Sequence, residues 1–291
     1  MQVERFLGNP ILSVSTHPET LDDLPGNING PSVIRVPDWV KTPLGKYYMY
    51  FGHHRGTYIR LAYADYIEGP WFVYVPGVLK MEDAYAINHI ASPDVHIDND
   101  QQIIRMYYHS PIDQPRQQRT RVATSHDGIN FSARSEILGA PYLRVLYWGG
   151  FYYAVGMPGI FYRSSDPLSG FVEGPTLFGS DQRHVALLKD GDTLNIFHTF
   201  VGDEPESLLL SRVDVSGDWM NWNASESQVL LKPERSYEGG YKVLEPSKRG
   251  PINERVMQLR DPAIFKEDEK IYLFYVVAGE QGIALAKISN C

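Results

Sequence analysis

The chain has 291 residues, 43% hydrophobic and 21% charged, which is the composition of a globular protein with ample apolar material for a core. Its formal net charge is −8 and no run of lysine and arginine forms a basic stripe, which argues against a nucleic-acid partner. The single cysteine, Cys291, excludes an intramolecular disulfide and a metal cluster built on cysteines.

The N-terminal segment has neither the basic region nor the apolar core of a signal peptide. No later stretch reaches the about 18 apolar residues of a membrane-spanning helix. We therefore expect a cytoplasmic protein with no membrane partner. The first structural element is predicted at residues 9–14, where the run Asn-Pro-Ile-Leu-Ser-Val indicates a lone strand.

Five similar units follow, each with an apolar strand, in most cases preceded by a proline, and then a strand rich in Tyr and Phe. The apolar strands are predicted at 31–36, 92–97, 141–145, 183–188 and 261–265, and the aromatic strands at 45–51, 104–109, 150–155, 193–198 and 271–275. Third strands are predicted at 58–64, 121–125, 159–165, 208–213 and 282–288, and outer strands at 71–74, 130–131, 171–172 and 219–220.

This repeat predicts the fold. Four short antiparallel strands per unit and five units fit an all-β, five-bladed β-propeller, in which the N-terminal strand at 9–14 closes the last blade. We interpret residues 1–291 as a single domain. The irregular stretch 232–259 is long for a compact domain, which indicates a functional or a disordered loop.

In such a ring, the start of each innermost strand and the end of each second strand face a shared axial pocket. These positions and nearby basic residues give the candidate substrate-binding residues Asn29, His53, His54, His109, Arg144, Arg183, His184, His198, Arg260 and Glu280. A histidine at the end of an aromatic strand can equally cap that strand. No histidine or carboxylate cluster has firm zinc-ligand spacing, so we expect no cofactor and no catalytic metal, while a structural Ca²⁺ stays open.

Carboxylates in this pocket are candidates for acid–base chemistry, because glycoside hydrolysis needs one carboxyl kept protonated and one kept ionised. Asp94 and Asp261 lie near the starts of innermost strands, and Arg260 can hold Asp261 ionised. An Asp-Pro pair is also a common turn before a strand. The loop carboxylates that can join them are Asp22, Asp23, Glu238, Glu245 and Glu280.

Residues 91–96 read Ala-Ser-Pro-Asp-Val-His, residues 105–110 read Arg-Met-Tyr-Tyr-His-Ser, and residues 260–262 read Arg-Asp-Pro. Together with 9–12 and 125–131, these segments resemble the five-bladed propeller glycosidases, in particular the family 43 arabinanase/xylosidase type. Related groups are the fructosidases of family 32, family 117 and the mannoside phosphorylases of family 130. The resemblance covers most of the chain and implies a carbohydrate substrate in the axial pocket.

The first-blade Asp-Pro-Ser of these glycosidases, which carries the base, is Gly-Pro-Ser here, beginning at Gly30. In a shifted register, the resemblance implies that Asp261 acts as the base and Asp94 as its neighbour. The acid would then be Glu245, Glu280 or a histidine such as His184.

We expect a glycoside hydrolase that acts on an oligosaccharide or on the end of a polysaccharide chain. Asp261 would activate water, Glu245 would donate the proton, and Asp94 would tune the pKa or hold a sugar hydroxyl. Arg144 and Arg183 suggest a substrate that carries carboxylate or sulfate groups. Two alternatives stay open, a non-catalytic carbohydrate-binding propeller and a phosphate-dependent glycoside phosphorylase. The stereochemistry of the reaction, the sugar and the oligomeric state are not predicted.

Overall fold

Five antiparallel β-sheets form the blades of a ring, as the computed structural model shows for residues 1–17, 27–113 and 117–289. The helical elements within these ranges are three 3₁₀ turns, at Met81–Asp83, Trp219–Asn221 and Ser236–Glu238. None of the helices in the described part of the chain is long and apolar enough to cross a membrane. The predicted all-β, five-bladed propeller is confirmed.

Each blade has four strand positions, and the chain fills them from the axis outward in blades one to four. The N-terminal strands are β1 (Gln2–Arg5) and β2 (Leu12–Ser13). Blade one contains β3 (Asn29–Arg35), β4 (Tyr47–Gly52), β5 (Tyr58–Ala64) and β6 (Phe72–Lys80). Blade two contains β7 (Ala91–Asp98), β8 (Ile103–Pro111), β9 (Gln118–Ser125) and β10 (Ser132–Ala133). Blade three contains β11 (Arg144–Trp148), β12 (Phe151–Gly156), β13 (Ile160–Ser164) and β14 (Val172–Thr176). Blade four contains β15 (Gln182–Asp190), β16 (Thr193–Phe200), β17 (Leu208–Asp214) and β18 (Gln228–Leu231). Blade five contains β19 (Arg260–Glu267), β20 (Lys270–Val277) and β21 (Gly282–Ser289), completed by β1 and β2.

The outer strand of blade four differs from its prediction at 219–220. Trp219 instead begins a 3₁₀ turn, because the Asp218 side chain accepts a hydrogen bond from the backbone N–H of Met220 at 3.1 Å. The Trp219 ring is buried in the apolar cluster between blades three and four. The outer strand of this blade is β18, which begins at Gln228.

The aromatic strands build the core between neighbouring blades. Side chains along β4 alternate between its two faces. Tyr47, Met49 and Phe51 pack in the cluster shared with blade five, whereas Tyr48 and Tyr50 pack in the cluster shared with blade two. All five side chains are almost completely buried. Packing between blades, and not contact with a ligand, therefore explains the tyrosines of this strand.

The ring closes through the N-terminus, as predicted, but through a different segment. β1 is the main outer partner of β21, and only Leu12–Ser13 of the predicted 9–14 strand pairs with it. The fully buried Glu238 holds this closure: its carboxylate accepts a hydrogen bond from Arg5 Nε at 2.7 Å and another from the Tyr275 hydroxyl at 2.9 Å. The loop that carries Glu238 is thereby bound to both ends of the chain.

One residue per blade has a left-handed backbone at the start of the innermost strand. These residues are Gly30 (φ 57°), Ser92 (φ 51°), Tyr142 (φ 63°), His184 (φ 51°) and Asp261 (φ 41°). In four blades the strand pairing also shifts register at this point. Such a conformation costs about 1–3 kcal/mol in a non-glycine residue and is concentrated at functional sites. The ring of five residues, which we call the axial ring, therefore marks one end of the propeller.

Glu238→Ala tests the closure. The substitution removes the buried partner of Arg5 and leaves it the exposed Glu234, and the Tyr275 hydroxyl loses the carboxylate that accepts its hydrogen bond, so the free energy of unfolding should fall by about 3–5 kcal/mol. Glu234→Ala is the matched control, since Glu234 also pairs with Arg5, at 3.3 Å, but is 63% exposed. It should cost at most about 1 kcal/mol. Chemical denaturation measures both, and equal losses would contradict this role of Glu238.

Candidate active site

A cavity of about 500 Å³ lies at the end of the propeller marked by the axial ring. Its walls include His54, Tyr142, Met157, Arg183, His184 and Arg249. A second cavity of about 510 Å³ shares His54 and Gln118 with the first, so the two adjoin. Each has the volume typical of a small-molecule site, and together they form a cleft with His54 at the shared wall.

Asp261 is the axial-ring residue of blade five and lies beside this cavity. Its side chain is 4% exposed, and Oδ1 is 3.4 Å from Nε2 of His184, the axial-ring residue of blade four. Burial, together with the negative charge of Glu280, raises the pKa of Asp261 to about 6, although nearby arginines oppose the shift. The carboxylate can thus gain and lose a proton close to neutral pH.

Beneath the cavity, a buried ion network joins blades four and five. Arg183 pairs with Glu206 through both ends of its guanidinium, with Nε 2.9 Å from Oε1. Arg260 lies between two carboxylates: its Nε is 3.3 Å from Glu206, and its Nη1 donates to Glu280 at 2.9 Å. All four side chains are at most 5% exposed. Each charge is compensated, which is the condition for burying ions at tolerable cost.

Glu280 connects this network to the cavity wall. Oε1 lies 3.3 Å from His54 Nδ1, and Oε2 accepts a hydrogen bond from Asn27 at 2.5 Å. Burial acts to raise the pKa of Glu280, but its bonds and charges with His54, Arg260 and Asn27 outweigh burial and hold the pKa below its ordinary value. The ionised Glu280 therefore orients His54, whose side chain is 26% exposed.

The other histidines around the cavity are neutral. Burial lowers the pKa of His53 and of His89 to about 4, and it lowers the pKa of His109 and of His184 well below the ordinary range. His109 packs against the Tyr142 ring at 4.2 Å between centroids. Both His54 and His184 lie close to a buried carboxylate, at 3.3 Å from Glu280 and 3.4 Å from Asp261 respectively, but the His54 side chain is 26% exposed and that of His184 only 7%.

The structure brings together six residues that the sequence selected: Asp261, His184, Arg183, Arg260, Glu280 and His54. Asn29 lies next to them and donates a hydrogen bond to Asn27 at 3.1 Å. Arg144 is buried and donates to the Ser92 carbonyl at 3.2 Å, and its charge acts on Asp261.

Three predicted residues lie elsewhere. Glu245 is exposed on the 232–259 loop and does not line the cavity, because Ser247 anchors this loop to Gly202 and Asp203 of blade four. His198 is buried inside blade four, 3.1 Å from Ser211 Oγ and with its ring packed against that of Phe178 at 4.6 Å between centroids.

Asp94 lies deeper along the axis than the axial ring. Its Oδ2 lies 2.7 Å from His96 Nε2 and accepts a hydrogen bond from the backbone N–H of Val145 at 2.8 Å. It therefore joins blades two and three. Of the loop carboxylates, Glu238 holds the ring closure, and Asp22 and Asp23 lie outside the described residues.

Sequence reasoning missed Glu206 and Arg119. Both lie at or just before the start of a third strand, β17 and β9 respectively. Because second strands end at the cavity, third strands begin there, so the starts of the third strands are a further set of positions that can contribute side chains to the cavity. No group of three or more His, Cys, Asp or Glu side chains in the described ranges could hold a metal ion, so the Ca²⁺ left open by the sequence has no such ligand set there.

The fold is that of the five-bladed propeller glycosidases. The chain is similar to the α-L-arabinanase of Cellvibrio cellulosa, solved with arabinohexaose, with a TM-score of 0.62 and 12% identity over 91% of this chain and 93% of that one. It is similar, with a TM-score of 0.68 and 12% identity over 99% and 93%, to a structure from the family 130 of mannoside phosphorylases, described as containing hydrolases that target β-1,2-mannosidic linkages in Candida mannan.

No protein-family model matches the sequence. An uncharacterized protein of Acanthamoeba polyphaga mimivirus is 35% identical over 99% of this chain and 91% of its own length. The chain belongs to the family of this mimivirus protein.

The raised pKa of Asp261 predicts a pH-dependent stability. The folded protein binds the Asp261 proton more tightly than the unfolded chain, so stability is lost as the pH rises from the usual aspartate pKa of 3.8 to about 6. Asp261→Asn removes this loss. The free energy of unfolding of the variant, relative to that of wild type, should therefore rise by up to about 3 kcal/mol between acidic and neutral pH. Chemical denaturation across this pH range measures it. A difference that does not change with pH would show that the pKa is not raised.

Proposed function

We propose that the protein is a glycoside hydrolase that cleaves an oligosaccharide, or the end of a polysaccharide chain, in the axial cavity. Asp261 carries this proposal: it is a buried carboxylate with a pKa raised to about 6, and its neighbour His184 lines a cavity of ligand size. The fold shared with known glycosidases supports the same conclusion, but only by analogy.

In this mechanism Asp261 is the general base. Above a pH of about 6 its carboxylate is mostly ionised and can take a proton from a water molecule that attacks the anomeric carbon. The neutral His184 lies next to Asp261 and positions it. As the new C–O bond forms, the glycosidic C–O bond breaks, and the leaving oxygen must receive a proton.

We assign this proton to His54 in place of the exposed Glu245. His54 lies on the wall between the two cavities, where a bond spanning them would be cleaved. Glu280 lies 3.3 Å from Nδ1, which leaves Nε2 to face the leaving oxygen as the donor. After product release, Asp261 returns its proton to solvent and His54 regains one, so the cycle balances.

One observation favours the alternative function of a phosphate-dependent phosphorylase. Arg119, Arg183 and Arg249 line the first cavity, and guanidinium groups bind phosphate well. In that reaction phosphate, and not water, would attack the anomeric carbon.

The proposed function is tested by measuring product release from a panel of neutral and acidic oligosaccharides, with and without inorganic phosphate. Asp261→Asn should reduce cleavage by roughly 10²–10⁴-fold, the usual contribution of a general base. The exposed Asp65→Asn is the control and should keep full activity. Cleavage that needs phosphate selects the phosphorylase. Sugar binding without cleavage selects the non-catalytic binding module.

His54→Gln tests the proton donor. A leaving group that needs no proton bypasses the donor, so a nitrophenyl glycoside should react nearly as fast as with wild type. Cleavage of the natural type of linkage should fall by roughly 10²–10⁴-fold. His126→Gln, which alters an exposed histidine on blade two, is the matched control. Equal losses for both substrates would exclude His54 as the donor.

A further inference from the structure

Among residues 1–17, 27–113 and 117–289, the first cavity is lined by positive side chains and by no carboxylate. Arg119, Arg183 and Arg249 contribute to its walls, within a chain whose formal net charge is −8. Charge of the opposite sign to the whole molecule, gathered in one concave site, is what electrostatic selection of a ligand requires. An arginine can bind a ligand here only if its charge and N–H donors are not already used within the protein.

The buried layer beneath the cavity is balanced. Three arginines (Arg144, Arg183 and Arg260) lie among three carboxylates (Glu206, Asp261 and Glu280). Arg183 in particular uses Nε and Nη2 on Glu206, while its Nη1 lies 3.5 Å from the Lys248 carbonyl. Because the charges of Arg144 and Arg183 are balanced internally, we look for the group that binds an acidic substituent among the other arginines of the cavity.

Arg119 and Arg249 supply the excess positive charge. Within the described ranges, Arg119 donates one hydrogen bond, from Nη1 to the Gln118 carbonyl at 2.9 Å. Arg249 donates one there, from Nη2 to the Ser180 carbonyl at 2.9 Å. A guanidinium has five N–H donors, so each keeps most of its donors for a ligand.

The fold holds the backbone at both arginines in place, while the Arg249 side chain is exposed. Arg119 is the second residue of β9 and is half-buried. Arg249 lies between two anchored residues of the 232–259 loop: the Ser247 N–H donates to the Asp203 carbonyl at 3.0 Å, and the Gly250 carbonyl accepts from Arg260 at 3.4 Å. A fixed backbone at both positions lowers the conformational entropy that is lost when the two arginines bind a ligand.

Apolar surface lies beside the two arginines. Pro141, Tyr142 and Met157 form part of the same cavity wall, and such a surface suits the apolar face of a sugar ring. We propose that this cavity binds an acidic sugar residue, whose carboxylate or sulfate ester is held by Arg119 and Arg249 while its ring packs on Tyr142. That this acidic sugar is part of a substrate the protein cleaves rests on the proposed function. That the cavity binds it does not.

The test is calorimetric binding to Asp261→Asn, which prevents cleavage of the ligands. An oligogalacturonide is compared with the same oligosaccharide fully methyl-esterified, and a sulfated oligosaccharide is compared with its desulfated form. At least one acidic ligand should bind about tenfold more tightly than its neutral counterpart, the equivalent of one charge-assisted hydrogen bond. Which pair shows the preference distinguishes carboxylate from sulfate.

Arg119→Gln and Arg249→Gln, each in this background, should remove most of the preference for the acidic ligand and leave the affinity for the neutral one unchanged. Arg212→Gln is the control, since Arg212 is exposed on β17 and the substitution changes the net charge equally. A preference that survives both cavity variants overturns the inference, as does failure of every acidic ligand to bind. Binding of inorganic phosphate that needs both arginines, without any preference for acidic sugars, also overturns it.

These results are separable from those on the proposed function. Cleavage of neutral sugars with no acidic preference would reject the acidic site and leave the hydrolase intact. Tight, arginine-dependent binding of an acidic sugar that wild type never cleaves would support the site and reject the hydrolase.

Discussion

The guanidinium of Arg260, placed between Glu206 and Glu280, is the interaction on which the rest of the site depends. Glu206 precedes the third strand of blade four, and Glu280 follows the second strand of blade five, so Arg260 joins two blades at the axial end. A buried charge without its partner costs several kcal/mol, about 3–5 in measured cases, which makes the three residues a unit. Because Glu280 is fixed by this unit, it orients His54, and its charge adds to the effect of burial in raising the pKa of Asp261.

The five blades have the same backbone conformation at the axial ring but carry different side chains there. Each contributes one residue with a left-handed backbone to the axial ring, and only blade five places a carboxylate there. Blade four places a neutral histidine beside this carboxylate, and blade one has glycine at its position. A repeated architecture thus presents different side chains to one point, which is how function is added to a common fold.

The sequence predicts the fold well, because prolines, turn residues and aromatic runs specify the three inner strands of each blade locally. It predicts the site only in part. His198 and Thr199 are adjacent on one strand, yet strand alternation sends His198 into blade four and brings Thr199 Oγ1 within 3.3 Å of His184 Nδ1. The position of Glu245 outside the cavity has another reason: the direction of a long loop depends on anchors such as Ser247, which no local pattern reveals. Glu206 could be recognised as a site residue only from the position of its strand, because no local pattern shows that the third strands begin at the cavity.

The central claim is that Asp261 is a carboxylate whose protonation is set by the network around it. Carbon-13 NMR titration of its side-chain carboxyl, assigned through the signal missing in Asp261→Asn, measures this directly. The account predicts a midpoint near pH 6. It also predicts a lower midpoint in Glu280→Gln, because a repelling charge is removed and Arg260 is freed to stabilise the ionised form. A midpoint in the ordinary aspartate range that is unchanged by Glu280→Gln would contradict the account.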